Sequence, residues 1–65
     1  MEIVVNGTPQ RTQAQTLHDL CETLGFADAR VATAINGDFV ALGERYARKL
    51  NKNDRIEIVA PRQGG

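Results

Sequence analysis

Two Asn-Gly pairs constrain this fold more than any other feature of the sequence, because each follows a short run of β-forming residues. Asn6-Gly7 comes after Ile3-Val4-Val5, and Asn36-Gly37 comes after a run that ends at Ile35. Asn and Gly tolerate the positive φ angles that a two-residue hairpin turn demands. Pro9 cannot donate a ladder hydrogen bond, so its strand should lie at a sheet edge. The sequence therefore predicts two β-hairpins, with strands at residues 2–5 and 8–12 and at residues 31–35 and 39–40.

A short helix is predicted between the two hairpins. Thr16 can accept a hydrogen bond from the backbone N–H of Asp19 and so cap the first helical turn. Gly25 is suited to the left-handed stop at the C-terminal end. Between them, four residues recur at the helical spacing i, i+3, i+4 and i+7 and form one apolar face: Leu17, Leu20, Cys21 and Leu24. We expect this face to cover a sheet.

The rest of the domain is a weakly patterned polar stretch and a final strand. Residues 44–50 can hold a helical turn or two, with Tyr46 and Leu50 facing inward. Residues 55–60 alternate between two faces of a strand. The whole pattern predicts an α+β fold in which one helix lies across a mixed sheet, and it leaves the strand order open.

Size and charge exclude several classes of protein. The 65 residues allow one domain, and a domain of this size has no spare volume for a deep active-site cleft. Eight Lys and Arg balance eight Asp and Glu, whereas a nucleic-acid binder carries a basic surplus. No apolar run or signal peptide points to a membrane. One cysteine, Cys21, allows neither a disulfide framework nor a cysteine-based zinc site. We expect a cytoplasmic monomer without a bound metal that is not an independent enzyme.

The last five residues, 61–65, differ in character from the β-rich domain of residues 1–60. Pro61 ends the final strand, and Arg62-Gln63-Gly64-Gly65 offers nothing apolar to bury, so we expect a flexible, extended tail. Glycines without Cβ atoms suit a tail that threads a narrow channel in another protein. The group presented at the end is the Gly65 carboxylate, which becomes an acyl donor only after activation. The chain holds no phosphate-binding glycine loop, so if the carboxylate is activated, another enzyme does it.

Two motifs carry a resemblance to a known family. Residues 54–59 read Asp-x-Ile-Glu-Ile-Val, and residues 61–65 read Pro-x-Gln-Gly-Gly. With these, the sequence resembles the sulfur carriers of thiamine biosynthesis, the ThiS family, which are ubiquitin-like β-grasp proteins related to the molybdopterin-synthase small subunit. The resemblance covers essentially the whole chain, and its other pieces are residues 3–7, 16–17, 20, 31–37, 40 and 46–47. The chain departs from the family at Ala41-Leu42, where a Pro and a basic residue are usual.

The resemblance implies both a fold and a mechanism. The fold is a β-grasp, a mixed sheet of four to five strands packed on one helix. In the mechanism, an adenylating enzyme uses ATP to convert the Gly65 carboxylate to an acyl-adenylate, and a sulfur-donating enzyme supplies a persulfide that displaces AMP. Thiazole synthase then takes the sulfur of the resulting Gly65 thiocarboxylate. No cofactor is bound by the carrier itself.

Several residues are candidates for contact with these partners. The tail residues Gly64, Gln63 and Arg62 precede the reactive group. In a β-grasp fold the first and last strands lie side by side, which would place Val59, with Val4 as a neighbour, on the sheet face opposite the helix. Exposed apolar residues beside the tail would form a docking patch.

Two reactive side chains receive a structural interpretation instead. Cys21 lies on the apolar helix face, where a buried thiol behaves as a small, inert hydrophobe. His18 has no ligand partners at metal spacing and reads as a surface residue.

Other functions fit the same features. The chain could carry sulfur for another pathway, such as molybdopterin or cysteine formation. It could be a ubiquitin-like modifier that forms isopeptide bonds through Gly65, or an interaction module that never uses its tail. Deleting Gly64 and Gly65 would spare only the interaction module.

Overall fold

The protein is a five-stranded mixed sheet packed on one helix. The structure, a computed structural model, describes residues 1–26 and 30–60. The elements in chain order are β1 (Glu2–Val5), β2 (Thr8–Arg11), α1 (Leu17–Thr23), β3 (Ala32–Ile35), β4 (Asp38–Val40), a 3₁₀ turn (Leu42–Glu44) and β5 (Arg55–Val59). The sheet order is β2-β1-β5-β3-β4. Among the strands of the described residues, β1 and β5 form the one parallel pair, and the other pairs are antiparallel. The predicted α+β class and β-grasp architecture are confirmed.

Both predicted hairpins form around their Asn-Gly pairs. Asn6 and Gly7 have φ angles of 49° and 83°, and Asn36 and Gly37 have φ angles of 51° and 87°. Two consecutive positive φ angles are the requirement of a type I′ turn, whose twist matches that of the flanking strands. Pro9 lies in β2 at the edge of the sheet, as predicted. The strands differ from their predicted bounds by about one residue, which is the usual uncertainty at element ends.

The helix begins and ends as its sequence predicts. The Thr16 hydroxyl accepts a hydrogen bond from the Asp19 backbone N–H at 3.1 Å. Gly25 has a φ angle of 88°, and the next backbone N–H, that of Phe26, donates to the carbonyl of Cys21 at 2.7 Å. This hydrogen bond across the last turn gives a donor to a carbonyl that has no partner within the helix.

The core lies between the helix and one face of the sheet. β1, β3 and β5 bury every second residue, as the two-residue period of a strand requires, whereas β4 buries Val40 alone and β2 buries none. Burial of each such side chain stabilises the fold by roughly 1.5–3 kcal/mol. The buried apolar residues are Ile3, Val5, Ala14, Leu17, Leu20, Cys21, Ile35, Val40, Leu50, Ile56 and Ile58.

The segment between β4 and β5 differs from its prediction. Leu50 is buried as expected, but Tyr46 is 67% exposed and Arg45 is the residue that turns inward, at 5% exposure. The prediction was wrong for Tyr46 because it assumed the period of an α-helix. The chain instead forms one 3₁₀ turn and then irregular turns, which rotate Tyr46 to the surface.

The same segment also completes the start of the helix. The backbone N–H groups of Leu17 and His18 have no partner inside the helix. They donate to the carbonyls of Arg48 at 2.9 Å and Arg45 at 3.1 Å. The irregular segment is therefore fixed to the helix by its backbone rather than by helical structure of its own.

Candidate functional site

The strand that leads to the tail occupies the centre of the sheet. β5 pairs with β1 on one side and with β3 on the other. The Asn6 side chain adds two bonds to Ile58, donating to its carbonyl at 3.0 Å and accepting from its N–H at 2.9 Å. β5 is thus held on both sides almost to its last residue, so the point from which the tail starts is fixed.

A second asparagine holds the other end of β5. The Asn36 carbonyl oxygen accepts from the Arg55 N–H at 2.9 Å, and its amide donates to Asp54 at 2.9 Å. The other Asp54 carboxylate oxygen accepts from the Asn51 N–H at 2.7 Å. The buried Asp54 carboxylate therefore has a partner on each oxygen. The Asn-Gly pattern predicts only the turn-forming role of Asn6 and Asn36, and these contacts with β5 are an additional role that it does not predict.

The sheet face opposite the helix carries an exposed apolar patch. Val59 lies opposite Ala32, and Phe39 lies opposite Ala34, on neighbouring strands. Side chains of directly opposed residues share one face of a sheet and contact one another. Phe39 is 71% exposed and Val59 is 59% exposed. We call these four residues, Ala32, Ala34, Phe39 and Val59, the outer-face patch.

The two valines predicted to be neighbours share this face but do not touch. β1 and β5 pair as expected, yet their register places Val4 opposite Arg55. Val59 lies four residues further along β5, which corresponds to roughly 13 Å at the rise of a β-strand. The prediction of adjacency was wrong because the sequence does not fix the register of a parallel pair. Phe39 is not among the predicted contact residues. It is nevertheless a large apolar side chain of this face, and it lies nearer to Val59 than Val4 does.

Phe39 could have been found from the alternation around it. Val40 is buried, and the residue before it in a strand must point to the opposite face. An aromatic side chain at that position is directed away from the helix and into solvent. The signal was present in the sequence, but β4 is only three residues long and gives little pattern to read.

The tail residues Arg62, Gln63, Gly64 and Gly65 lie outside the described residues, and so does the predicted boundary at residue 61. Their roles stay predictions. Within the described residues, β5 ends at Val59, which belongs to the outer-face patch.

The two reactive side chains of the helix lie away from the outer face. Cys21 is a buried member of the core, as predicted. Burial raises the pKa of its thiol, and the positive charge of Arg45 partly opposes that rise. A protonated, buried thiol is a poor nucleophile, which agrees with the packing role expected for Cys21.

His18 is more enclosed than a simple surface residue. Its ring stacks on that of Tyr46 with centroids 3.8 Å apart, and its Nε2 lies 3.6 Å from a Glu22 carboxylate oxygen. His18, Asp19 and Glu22 together offer metal-ligand atoms within 4.8 Å of one another. Such groups are common on helix surfaces without an ion, so no metal is assigned to them.

Among residues 1–26 and 30–60, no helix is both long enough and apolar enough to span a bilayer.

Comparison with known proteins gives a family and a fold. The model of the ThiS family matches residues 3–65. A crystal structure of the thiamine biosynthesis protein ThiS from Geobacter metallireducens is 28% identical, with a TM-score of 0.81 over 100% of both chains. An NMR solution structure of a thiamine biosynthesis protein from the same organism is 23% identical. Its TM-score is also 0.81, over 100% of this chain and 88% of that one, which supports the fold alone.

A comparison with curated proteins returned no match. The family model nevertheless covers nearly the whole sequence, and the match includes β5, the outer-face patch and the tail through Gly65. The chain therefore belongs to the ThiS family, whose members are small sulfur carriers rather than catalysts.

Proposed function

We propose that the chain carries sulfur for the formation of the thiamine thiazole on its C-terminal Gly65. A partner enzyme adenylates the Gly65 carboxylate with ATP. A persulfide from a sulfur-donating enzyme displaces AMP and forms an acyl disulfide with Gly65. A thiol on the partner protein then attacks the S–S bond, which releases the Gly65 thiocarboxylate and leaves a disulfide on the partner. Thiazole synthase then accepts the sulfur. The observation that carries the proposal is the family match, which runs through residues 63–65.

The chemistry explains why a carrier of this size needs partners. A carboxylate resists nucleophilic attack at neutral pH, whereas an acyl-adenylate is a good acyl donor. The sequence contains no phosphate-binding glycine loop. ATP is therefore bound by the adenylating enzyme, and the carrier supplies only the acyl group. The reaction is assigned to the cytoplasm, where a single unpaired thiol such as that of Cys21 is kept reduced.

The outer-face patch is the proposed docking surface for the adenylating enzyme and for thiazole synthase in turn. Phe39 and Val59 are large, exposed apolar groups on one sheet face. Val59 ends β5, and Phe39 lies two strands away on β4. Exposed aromatic side chains such as Phe39 are frequent anchors of binding energy at interfaces. Val4 extends the same face at its far end. Gly64, Gln63 and Arg62 then enter the partner with the reactive terminus.

The test is the intact mass of the protein after incubation with an adenylating enzyme, a sulfur-donating enzyme, ATP and cysteine. A species heavier by the exchange of one oxygen for one sulfur, mapped to Gly65, is expected. The control is a chain that lacks Gly64 and Gly65, which should stay unmodified. An unmodified full chain, with partners shown to be active on another carrier, would exclude the sulfur-carrier function.

The same measurement separates the other functions. Higher-mass conjugates to protein lysines would identify a ubiquitin-like modifier. Transfer of sulfur to a molybdopterin or cysteine precursor, but not to thiazole synthase, would identify a carrier for another pathway.

A further inference from the structure

An acidic side chain borders the outer-face patch. Ala34 lies opposite Phe39 on one side and opposite Glu57 on the other. Directly opposed residues share one face of a sheet, so Phe39, Ala34 and Glu57 form one row across β4, β3 and β5. Phe39 and Glu57 are exposed, and Ala34 between them is half-buried. A partner that covers the patch therefore also covers the Glu57 carboxylate.

The Glu57 carboxylate restricts what such a partner can carry. Removing a carboxylate from water is costly unless a cation or hydrogen-bond donors replace the water. The patch itself is made of alanine, phenylalanine and valine side chains, which donate no hydrogen bonds. We therefore expect the compensating group on the partner, and a positively charged donor forms the strongest hydrogen bonds to a carboxylate.

The shape of the row selects the kind of cation. Neighbouring strands lie about 4.8 Å apart, so the backbones that carry Phe39 and Glu57 are separated by about 10 Å. The methyl group of Ala34 forms a low floor between these two longer side chains. A flat guanidinium suits such a slot, because it can stack on an aromatic ring and donate two parallel hydrogen bonds to a carboxylate. A lysine ammonium is compact and cannot form that two-pronged contact.

We propose that Phe39, Ala34 and Glu57 form an arginine slot, which receives one arginine side chain of the adenylating enzyme. The inference rests on the proposed function, since it concerns the same docking surface. Arg55 limits where the arginine can enter. It is exposed on the same face, roughly 7 Å before Glu57 along β5, and lies opposite Val4. Its positive charge disfavours a second cation on that side and leaves the Phe39 side of Glu57 for the incoming guanidinium.

The experiment measures the dissociation constant of the full chain and the adenylating enzyme by isothermal titration calorimetry without ATP. Glu57→Gln keeps the size of the side chain and removes its charge. We expect this variant to bind at least about tenfold more weakly, because it loses a charge-assisted pair of hydrogen bonds. Ala34→Leu keeps every charge but fills the floor of the slot, and it should weaken binding to a similar extent.

Glu22→Gln is the matched control. It makes the same change at an exposed glutamate of α1, on the other side of the sheet, and should leave the dissociation constant unchanged. Circular dichroism verifies that each variant is folded. If Ala34→Leu does not fold, Glu57→Gln decides, since its exposed side chain lies outside the core.

Arginine-specific labelling identifies the residue that enters the slot. Phenylglyoxal modifies arginines of the enzyme, and mass spectrometry maps the modified sites with and without bound carrier. The native chain should protect one arginine that Glu57→Gln, added to give the same bound fraction, leaves reactive. Lysine acetylation is mapped in parallel.

Three outcomes would overturn the proposal: native affinity in Glu57→Gln, native affinity in Ala34→Leu, or protection that depends on Glu57 at a lysine instead of an arginine. Sulfur loading of the native chain, measured by intact mass, is scored separately. A native chain that is loaded while Glu57→Gln binds as tightly refutes the arginine slot alone. A native chain that is not loaded by active partners refutes the proposed function.

Discussion

The Asn6 side chain and the Ile58 backbone form a two-bond pair that joins the first hairpin to the last strand. The amide donates to the Ile58 carbonyl at 3.0 Å, and the amide oxygen accepts from the Ile58 N–H at 2.9 Å. The Asn6 side chain thereby makes the two hydrogen bonds to β5 that the backbone of one further β1 residue would otherwise make. The residue that turns the hairpin also holds the strand from which the tail starts.

The first prediction separates these two roles of Asn6. Asn6→Gly keeps the freedom to adopt a positive φ but loses both side-chain bonds, and each such bond contributes about 0.5–1.5 kcal/mol. Asn6→Ala also loses the bonds and adds about 1–2 kcal/mol of strain from the left-handed conformation. Urea denaturation should rank the free energies of unfolding as native, then Asn6→Gly, then Asn6→Ala. Equal stability of Asn6→Gly and the native chain would show that the pair with Ile58 contributes nothing.

The second prediction concerns the backbone at two glycines with open space around them. A Cβ atom would meet nothing within 4 Å at either Gly37 or Gly43, but only Gly37 has a left-handed φ, of 87°. Gly37→Ala should therefore destabilise the fold by about 1–2 kcal/mol. Gly43→Ala should be neutral or stabilising by up to about 1 kcal/mol, because it restricts the unfolded chain. Thermal unfolding of both variants is the measurement, and a similar loss in both would refute the conformational explanation.

The third prediction tests the docking surface. Phe39→Asp removes the largest exposed apolar group of the outer-face patch and places a charge there, while its exposed position leaves the core intact. Loss of an interface anchor of this kind costs roughly 2 kcal/mol or more in binding. When the carrier concentration is well below saturation of the adenylating enzyme, we expect the rate of thiocarboxylate formation to fall at least about tenfold.

Gln13→Asp is the matched control for this variant. It adds the same charge at an exposed site in the loop between β2 and α1, and it should leave the rate of thiocarboxylate formation unchanged. Circular dichroism must show that both variants are folded. An unaffected rate for Phe39→Asp would remove the outer-face patch from the docking surface.

The fourth prediction follows from the raised pKa of the Cys21 thiol. The unfolded thiol ionises near its ordinary pKa of about 8.5, whereas the folded thiol stays protonated to higher pH because it is buried. As pH rises, the thiol therefore loses its proton first in the unfolded state. The stability that this thiol contributes is fully present below its pKa in the unfolded state, and it is lost as pH rises through its pKa in the folded state.

This pH dependence can be tested by measuring the free energy of unfolding between neutral and alkaline pH for the native chain and for Cys21→Ala. The native chain should lose more stability than the variant as pH rises. Parallel pH profiles would show that the thiol is not shielded in the folded state. Cys21→Ala should also leave sulfur loading of Gly65 intact, since the proposed chemistry does not use this thiol.

Local signals in the sequence predicted most of the fold. The Asn-Gly turns, the Thr16 cap and the Gly25 stop each depend on a few adjacent residues, and all three are confirmed. The β-grasp arrangement came from the family resemblance rather than from the pattern itself. A pattern of hydrophobic residues shows which face of a strand is buried, but not which strand pairs with which.

Features that depend on distant contacts were missed. The inward turn of Arg45 is set by two acceptors, the Thr33 hydroxyl on β3 and the carbonyl of Val31 just before that strand, and no local rule places an arginine inside. The separation of Val4 and Val59 depends on the register of two strands from opposite ends of the sequence. The bonds of Asn6 to Ile58 have the same origin. In each case the decisive partner lies far away in the chain.

The central position of β5 has a consequence for what a partner enzyme can recognise. Without β5, the two hairpins would be separate ribbons, each with an unpaired inner edge, and an isolated two-stranded hairpin is marginal in water. The outer-face patch spans β3, β4 and β5, so it exists only after this strand has joined them. If the adenylating enzyme docks on this patch as proposed, it binds only a chain in which β5 has joined the two hairpins, and we expect an incompletely folded chain to receive no sulfur.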